Sequence, residues 1–122
     1  QVKVDLKLKN GAIVRIAENK ENRIKKYLSI FPQLKSIDQV ILFGSAITEH
    51  CTEQSDVDLC FLYTNKQQYR EDMAELYFEI MPESTADDAM CAESAWFKNT
   101  NALTGAMKAA ANEGILIYDR KW

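Results

Sequence analysis

The feature that most constrains this chain is an apolar, β-branched run from Gln39 to Phe43 (QVILF) that stops abruptly on Gly44-Ser45. Ten residues then pass before Asp56-Val57-Asp58 opens a second apolar run ending at Tyr63. Short runs of this kind bounded by turn residues read as strands buried inside a sheet. The expected strands are Gln39 to Phe43 and Ser55 to Tyr63, with a short helix or turn from Gly44 through Glu49.

The rest of the chain supplies the layers around those strands. Val2, Val4, Leu6 and Leu8 alternate with polar residues, Asn10-Gly11 is a strong hairpin signal, and Ile13, Val14 and Ile16 provide the return strand. Asn19 is placed to cap a helix towards Phe31, with Ile24, Tyr27, Leu28 and Phe31 on one face and Pro32 as its stop. A second helix is expected from Gln67 to Ile80, closed by Pro82. Ser84 to Cys91 is expected as a third central strand, though a poor one by propensity. Ser94 to Asn112 reads as a helix ending before Gly114, and Gly114 to Tyr118 as a last strand. This alternation gives an α/β (α+β) class, with a mixed central β-sheet covered by helices. The antiparallel opening hairpin is the reason for expecting the sheet to be mixed.

Composition narrows the functional classes. The 122 residues, 47% hydrophobic and 27% charged, are enough for one domain with its own core. A net charge of -3 argues against a dedicated nucleic-acid backbone binder, although Arg15, Lys20, Arg23, Lys25 and Lys26 form a local basic stretch. Cys51, Cys60 and Cys91 form no CxxC pair, which reads as reduced thiols and a cytoplasmic setting. With His50 as the one histidine, a closed zinc site lacks ligands. No apolar run approaches the roughly 20 residues of a membrane span.

The chemistry lies in the Gly-Ser and Asp-x-Asp elements taken together. Either alone is ordinary, a turn or a solvated strand end. Two aspartates two apart on a strand leave the same face, about 7 Å apart at the backbone. Such carboxylates suit hard Mg²⁺ or Mn²⁺ rather than zinc. Gly44 leaves room for a phosphate, and Ser45 adds a hydroxyl and an N–H at the start of the expected helix. His50 reads as a loop residue and Cys60 as core. Tyr69, Tyr77, Phe78, Trp96 and Phe97 read as packing aromatics.

The pattern from Val40 to Leu62, Gly-Ser followed ten residues later by Asp-x-Asp between apolar strands, resembles the DNA polymerase beta-type nucleotidyltransferases. It is similar to their minimal branch, often encoded beside a HEPN-domain partner. The resemblance implies a single nucleotidyltransferase domain over residues 1–122 that moves a nucleoside monophosphate, AMP from ATP by family habit, to a hydroxyl. In that family the Gly-Ser turn meets the phosphates and the aspartates hold Mg²⁺ (or Mn²⁺), roles that fall on Gly44, Ser45, Asp56 and Asp58. A third carboxylate, ligand and base, falls on Asp87 or Asp88, with Asp88 slightly favoured and Glu93 a distant third. Where many members carry an arginine after the turn, this chain has Ala46 to His50. By the same resemblance the acceptor could be a tyrosine on a HEPN-domain toxin, making this chain an antitoxin, and a partner or homodimer could complete the site. The alternative is a degenerate module that neutralises a partner by contact.

Overall fold

The computed structural model describes residues 2–80 and 87–122. Its elements are β1 (Lys3–Lys7), β2 (Ile13–Ala17), α1 (Glu21–Ile30), β3 (Ile37–Phe43), β4 (Asp58–Tyr63), α2 (Lys66–Ile80), β5 (Asp88–Glu93), α3 (Ser94–Asn99), α4 (Gly105–Glu113) and β6 (Ile115–Asp119). Pro82 and the first residues of the expected Ser84–Cys91 strand lie outside the described residues. Among the described residues no helix is long and apolar enough to cross a membrane.

Four strands form one sheet in the order β5-β4-β3-β6. β3 runs antiparallel to both β4 and β6, while β4 and β5 are parallel and joined through α2. The sheet is therefore mixed, but not through the hairpin. Among the described residues β1 and β2 pair only with each other, as a separate two-stranded sheet. Their turn is held by Asn10, whose Oδ1 accepts from the Ala12 N–H at 3.0 Å.

Strand alternation divides the core into two clusters, one on each face of the sheet. Val40, Leu42, Leu59 and Phe61 join Ile24, Tyr27, Phe31, Met73 and Leu76, so this face is covered by α1, α2 and the turn after α1. The hairpin adds Leu6, Leu8 and Ile16 to the same cluster. The other parity, Ile41, Cys60, Leu62 and Ala92, packs against Ala110 with Phe97 and Met107 beside it. Burying a Leu or Phe side chain stabilises by about 1.5–3 kcal/mol relative to leaving it exposed, so the larger cluster dominates the fold.

The third central strand, expected to end at Cys91, runs on to Glu93, and two of the expected helices differ. The helix from Ser94 to Asn112 is two helices, because the TNALT segment offers its backbone local partners: the Thr100 Oγ1 accepts from the Ala102 N–H at 3.0 Å. The helix expected from Asn19 begins with a 3-10 turn at Glu18–Lys20, and Asn19 makes no cap. Its side chain donates instead to the Cys51 carbonyl at 3.3 Å.

Candidate active site

The sheet delivers its acids at one end. β3 finishes at Phe43, which pairs with Asp58, the first residue of β4. Next comes Gly44, with φ +77, at the head of a 3-10 turn over Gly44–Ile47. A Cβ on Gly44 would lie 2.1 Å from the Asp58 Oδ2 and 3.0 Å from its Cγ. Glycine is thus required twice, by a left-handed backbone and by the carboxylate packed over it. The turn is too short to act as a helix N-terminus, so no helix dipole adds to the hydroxyl and N–H of Ser45. Ser45 stands half-buried in it, its carbonyl taken by the Thr48 N–H at 3.1 Å.

The strand expected from Ser55 begins only at Asp58. Residues before it belong to a loop that closes on itself, the Thr52 N–H donating to the Ser55 Oγ at 2.9 Å. Asp56 therefore lies ahead of the strand rather than in it. It still neighbours Asp58, because Val57 between them is fully buried and both aspartates are half-exposed.

β5 lies beside β4 in parallel register, Asp58 opposite Asp88. Neighbouring residues of a strand face opposite ways, and the two adjacent aspartates separate accordingly. Asp88 is exposed next to Asp58, on the parity of Met90 and Ala92. Asp87 turns towards α1: its Oδ2 accepts from the Tyr27 hydroxyl at 2.7 Å and from the Arg23 Nη1 at 3.0 Å. Its Oδ1 accepts from the Val57 N–H at 3.0 Å. Glu93, at the far end of β5, lies about 16 Å from Asp88 by strand rise and caps α3 through the Ala95 N–H.

Electrostatics register the crowding. The Asp58 carboxyl is pushed up to about 6, by burial first and then by the charges of Asp88, Asp56 and Asp87. Burial and the bond to Asp87 likewise push the Tyr27 phenol upward. An all-oxygen set of acids gathered around one crowded carboxyl is the donor chemistry of a hard divalent cation. Asp56, Asp58 and Asp88 fit such an ion by chemistry, but they are not drawn into a finished cage. Among the described residues no three of His, Cys, Asp and Glu are gathered closely enough to hold a metal.

Some side chains near the site were not legible as such. Lys20 and Arg23, part of the basic stretch noted in the sequence, are drawn inward. Lys20 is 6% exposed and donates to the Glu53 carbonyl at 3.0 Å, and Arg23 reaches Asp87. The one available signal was the four-residue spacing of Arg23 and Tyr27, which puts both on one helix face. Among the aromatics, Tyr69 stacks on Tyr63 at 4.6 Å between ring centroids, and Phe97 packs on the α4 face. Tyr77, Phe78 and Trp96, expected to pack, are exposed. His50 is exposed and Cys60 is buried core, its thiol pushed up to about 12 by burial.

A sheet that ends in Gly-Ser on one strand and acids on the next two is the frame of a nucleotidyltransferase. Residues 22–122 match the family described as polymerase beta, nucleotidyltransferase, and the chain belongs to it. Its fold is similar to that of a candidate nucleotidyltransferase from Sulfolobus solfataricus known from a crystal structure. That likeness has a TM-score of 0.51 at 14% identity and covers 85% of this chain and 86% of the other. No curated protein matches the chain.

Proposed function

We propose that this chain is a divalent-metal-dependent nucleotidyltransferase, moving a nucleoside monophosphate, AMP from ATP in the first instance, onto a hydroxyl acceptor. The observation that carries the reading is the register of Asp58 with Asp88 at the sheet end, with Asp56 two residues upstream and Gly44 moulded to the Asp58 carboxylate. Asp56 and Asp58, joined by Asp88, would hold Mg²⁺ or Mn²⁺. Such an ion, when bound, neutralises charge on the triphosphate and on the transferring phosphorus. Gly44 makes room for the Asp58 carboxylate at the strand end rather than for the phosphate directly, and the Ser45 hydroxyl and N–H orient the phosphate oxygens. Asp88, exposed at the mouth, takes the proton of the acceptor hydroxyl as that oxygen bonds to the α-phosphorus. The bond from that phosphorus to the bridging oxygen breaks and pyrophosphate leaves. Such transfers depend mainly on positioning and charge neutralisation, and no protein nucleophile is needed.

The acceptor we propose is a hydroxyl on a partner protein, a tyrosine of a HEPN-domain partner being the one to which the sequence resemblance points. In that case the chain acts as an antitoxin, and the partner or a second copy completes the acceptor side. A binding-only module is the second reading, and the open spacing of the acids favours it.

Calorimetry of ATP binding, with and without Mg²⁺, on the wild type and Asp58→Ala tests the site. Mg²⁺-dependent binding that disappears in the variant is expected. Binding that ignores both metal and mutation would defeat the metal assignment. Transfer of α-phosphate label from ATP to a captured partner then separates the enzyme from the binding module.

A further inference from the structure

The metal reading leaves one acid of the cluster unused, and its bonds indicate another task. Asp87 and Asp88 together grip both backbone groups of Val57, the residue between the two aspartates of the motif. The Asp87 Oδ1 accepts from the Val57 N–H at 3.0 Å, and the Asp88 N–H donates to the Val57 carbonyl at 3.1 Å. The other Asp87 oxygen is held by Tyr27 at 2.7 Å and by Arg23 at 3.0 Å, both from α1. The Asp87 side chain is only 11% exposed and that of Arg23 27%, so solvent weakens this ion pair little. A guanidinium 3.0 Å from the Asp87 carboxylate also repels a second cation there.

We infer that Asp87, held by Arg23 and Tyr27, is a positioning residue rather than a ligand: it fixes the backbone between Asp56 and Asp58 and so sets the gap into which a cation fits. This rests on the metal-dependent reading above. The mechanical logic is direct. Asp56 and Asp58 flank a residue whose two backbone groups are clasped, so neither can shift along the chain without breaking a bond to β5 or to the side chain ahead of it. Helix α1, which supplies none of the clustered aspartates, thereby becomes part of the metal site. Partners that orient ligands in this way are worth about 10- to 100-fold in metal affinity or activity.

The test compares wild type, Asp87→Asn, Tyr27→Phe and Arg23→Gln by ATP calorimetry with Mg²⁺ and with EDTA, and by Mn²⁺ titration without nucleotide. Each variant's cooperative unfolding is recorded without metal. Asp87→Asn should weaken Mg²⁺-dependent binding about 10- to 100-fold, with a smaller loss in Tyr27→Phe and unchanged behaviour in EDTA. Arg23→Gln separates the two roles. Were Asp87 a ligand, removing the neighbouring cation would tighten Mn²⁺ binding; a positioning role requires it to weaken. Folded variants that lose stability but bind Mg²⁺-ATP like wild type would overturn the proposal and leave an ordinary structural ion pair. Should Asp87→Asn not fold, Tyr27→Phe carries the test, since it keeps the bonds to Arg23 and Val57. A wild type with no metal-dependent binding defeats the functional reading and this one with it. A wild type that binds, with variants that bind equally well, defeats this one alone.

Discussion

At Gly44 the backbone and the chemistry make the same demand. Its φ of +77 disfavours any side chain, and the Asp58 carboxylate fills the space a Cβ would need. Gly44→Ala is expected to cost about 1–2 kcal/mol from the left-handed backbone alone, seen as a lower urea midpoint. It should also abolish Mg²⁺-dependent ATP binding, because Asp58 must swing aside to admit the methyl group. The charge on Asp58 makes a second prediction. Its folded value of about 6 lies above the ordinary 3.8, so between those limits the folded chain holds more protons than the unfolded one. Stability contributed by this group is therefore present at the acid end and lost as pH rises from about 4 through 6. Asp119, held low by the Lys121 N–H, works in the opposite sense, so the comparison must be with Asp58→Asn. That variant should show a flatter stability profile and exceed wild type near pH 7, by urea denaturation in EDTA. An unchanged profile would mean that Asp58 is not crowded by its neighbours. Gly44, Ser45, Asp56 and Asp58 stood out in the sequence because their spacing, their order and the apolar strands around them agree. Arg23 and Tyr27 did not, since their partner lies some sixty positions away and only the folded chain brings them to it.

The elements explain which parts of the site could be read and which could not. β3 and β4 are apolar on both faces, and such strands announce themselves by an unbroken hydrophobic run. β5 reads DAMCAE, with alanines and acids where branched residues would be usual, and it is held by parallel pairing with β4 rather than by propensity. Its start could be placed only roughly, which is why the sequence favours Asp88 over Asp87 only slightly. The start of β4 moved from Ser55 to Asp58 for a related reason: the Thr52–Ser55 hydrogen bonds take the backbone before the ladder does. Asp56 consequently depends on a loop and has no ladder bonds of its own to place it. That makes the clasp on Val57 more consequential, since it ties the loop end to β5. The division of the expected Ser94–Asn112 helix follows the same principle, short polar side chains competing for backbone bonds that a helix would otherwise use.

For the molecule as a whole, class and mixed sheet were legible from the alternation of strands and helices, but the cause of the mixing was not. The hairpin looked like the antiparallel member of the main sheet; instead the main sheet contains its own parallel pair. The hairpin lies outside the region matched by the family, residues 22–122, yet it places Leu6, Leu8 and Ile16 in the larger core cluster. Each such burial is worth about 1.5–3 kcal/mol, against a typical total stability of about 5–15 kcal/mol. Deletion of residues 2–17 is therefore expected to remove most of the cooperative thermal transition, as followed by circular dichroism. A deletion variant melting like the full chain would show the hairpin to be an appendage.

The opposed directions of Asp87 and Asp88 give β5 something like a reading frame of two. Slide the strand by one residue, so that Ala89 comes opposite Asp58, and Asp88 falls on the anchor's station while no acid is left beside Asp58, and the apolar side chains trade faces. Slide it by two and the faces are restored, while Met90 stands where the acid should be. The composition of this strand therefore protects it less than its phase does. Single-residue insertions or deletions within 88–93 should be far more damaging here than substitutions that keep the count.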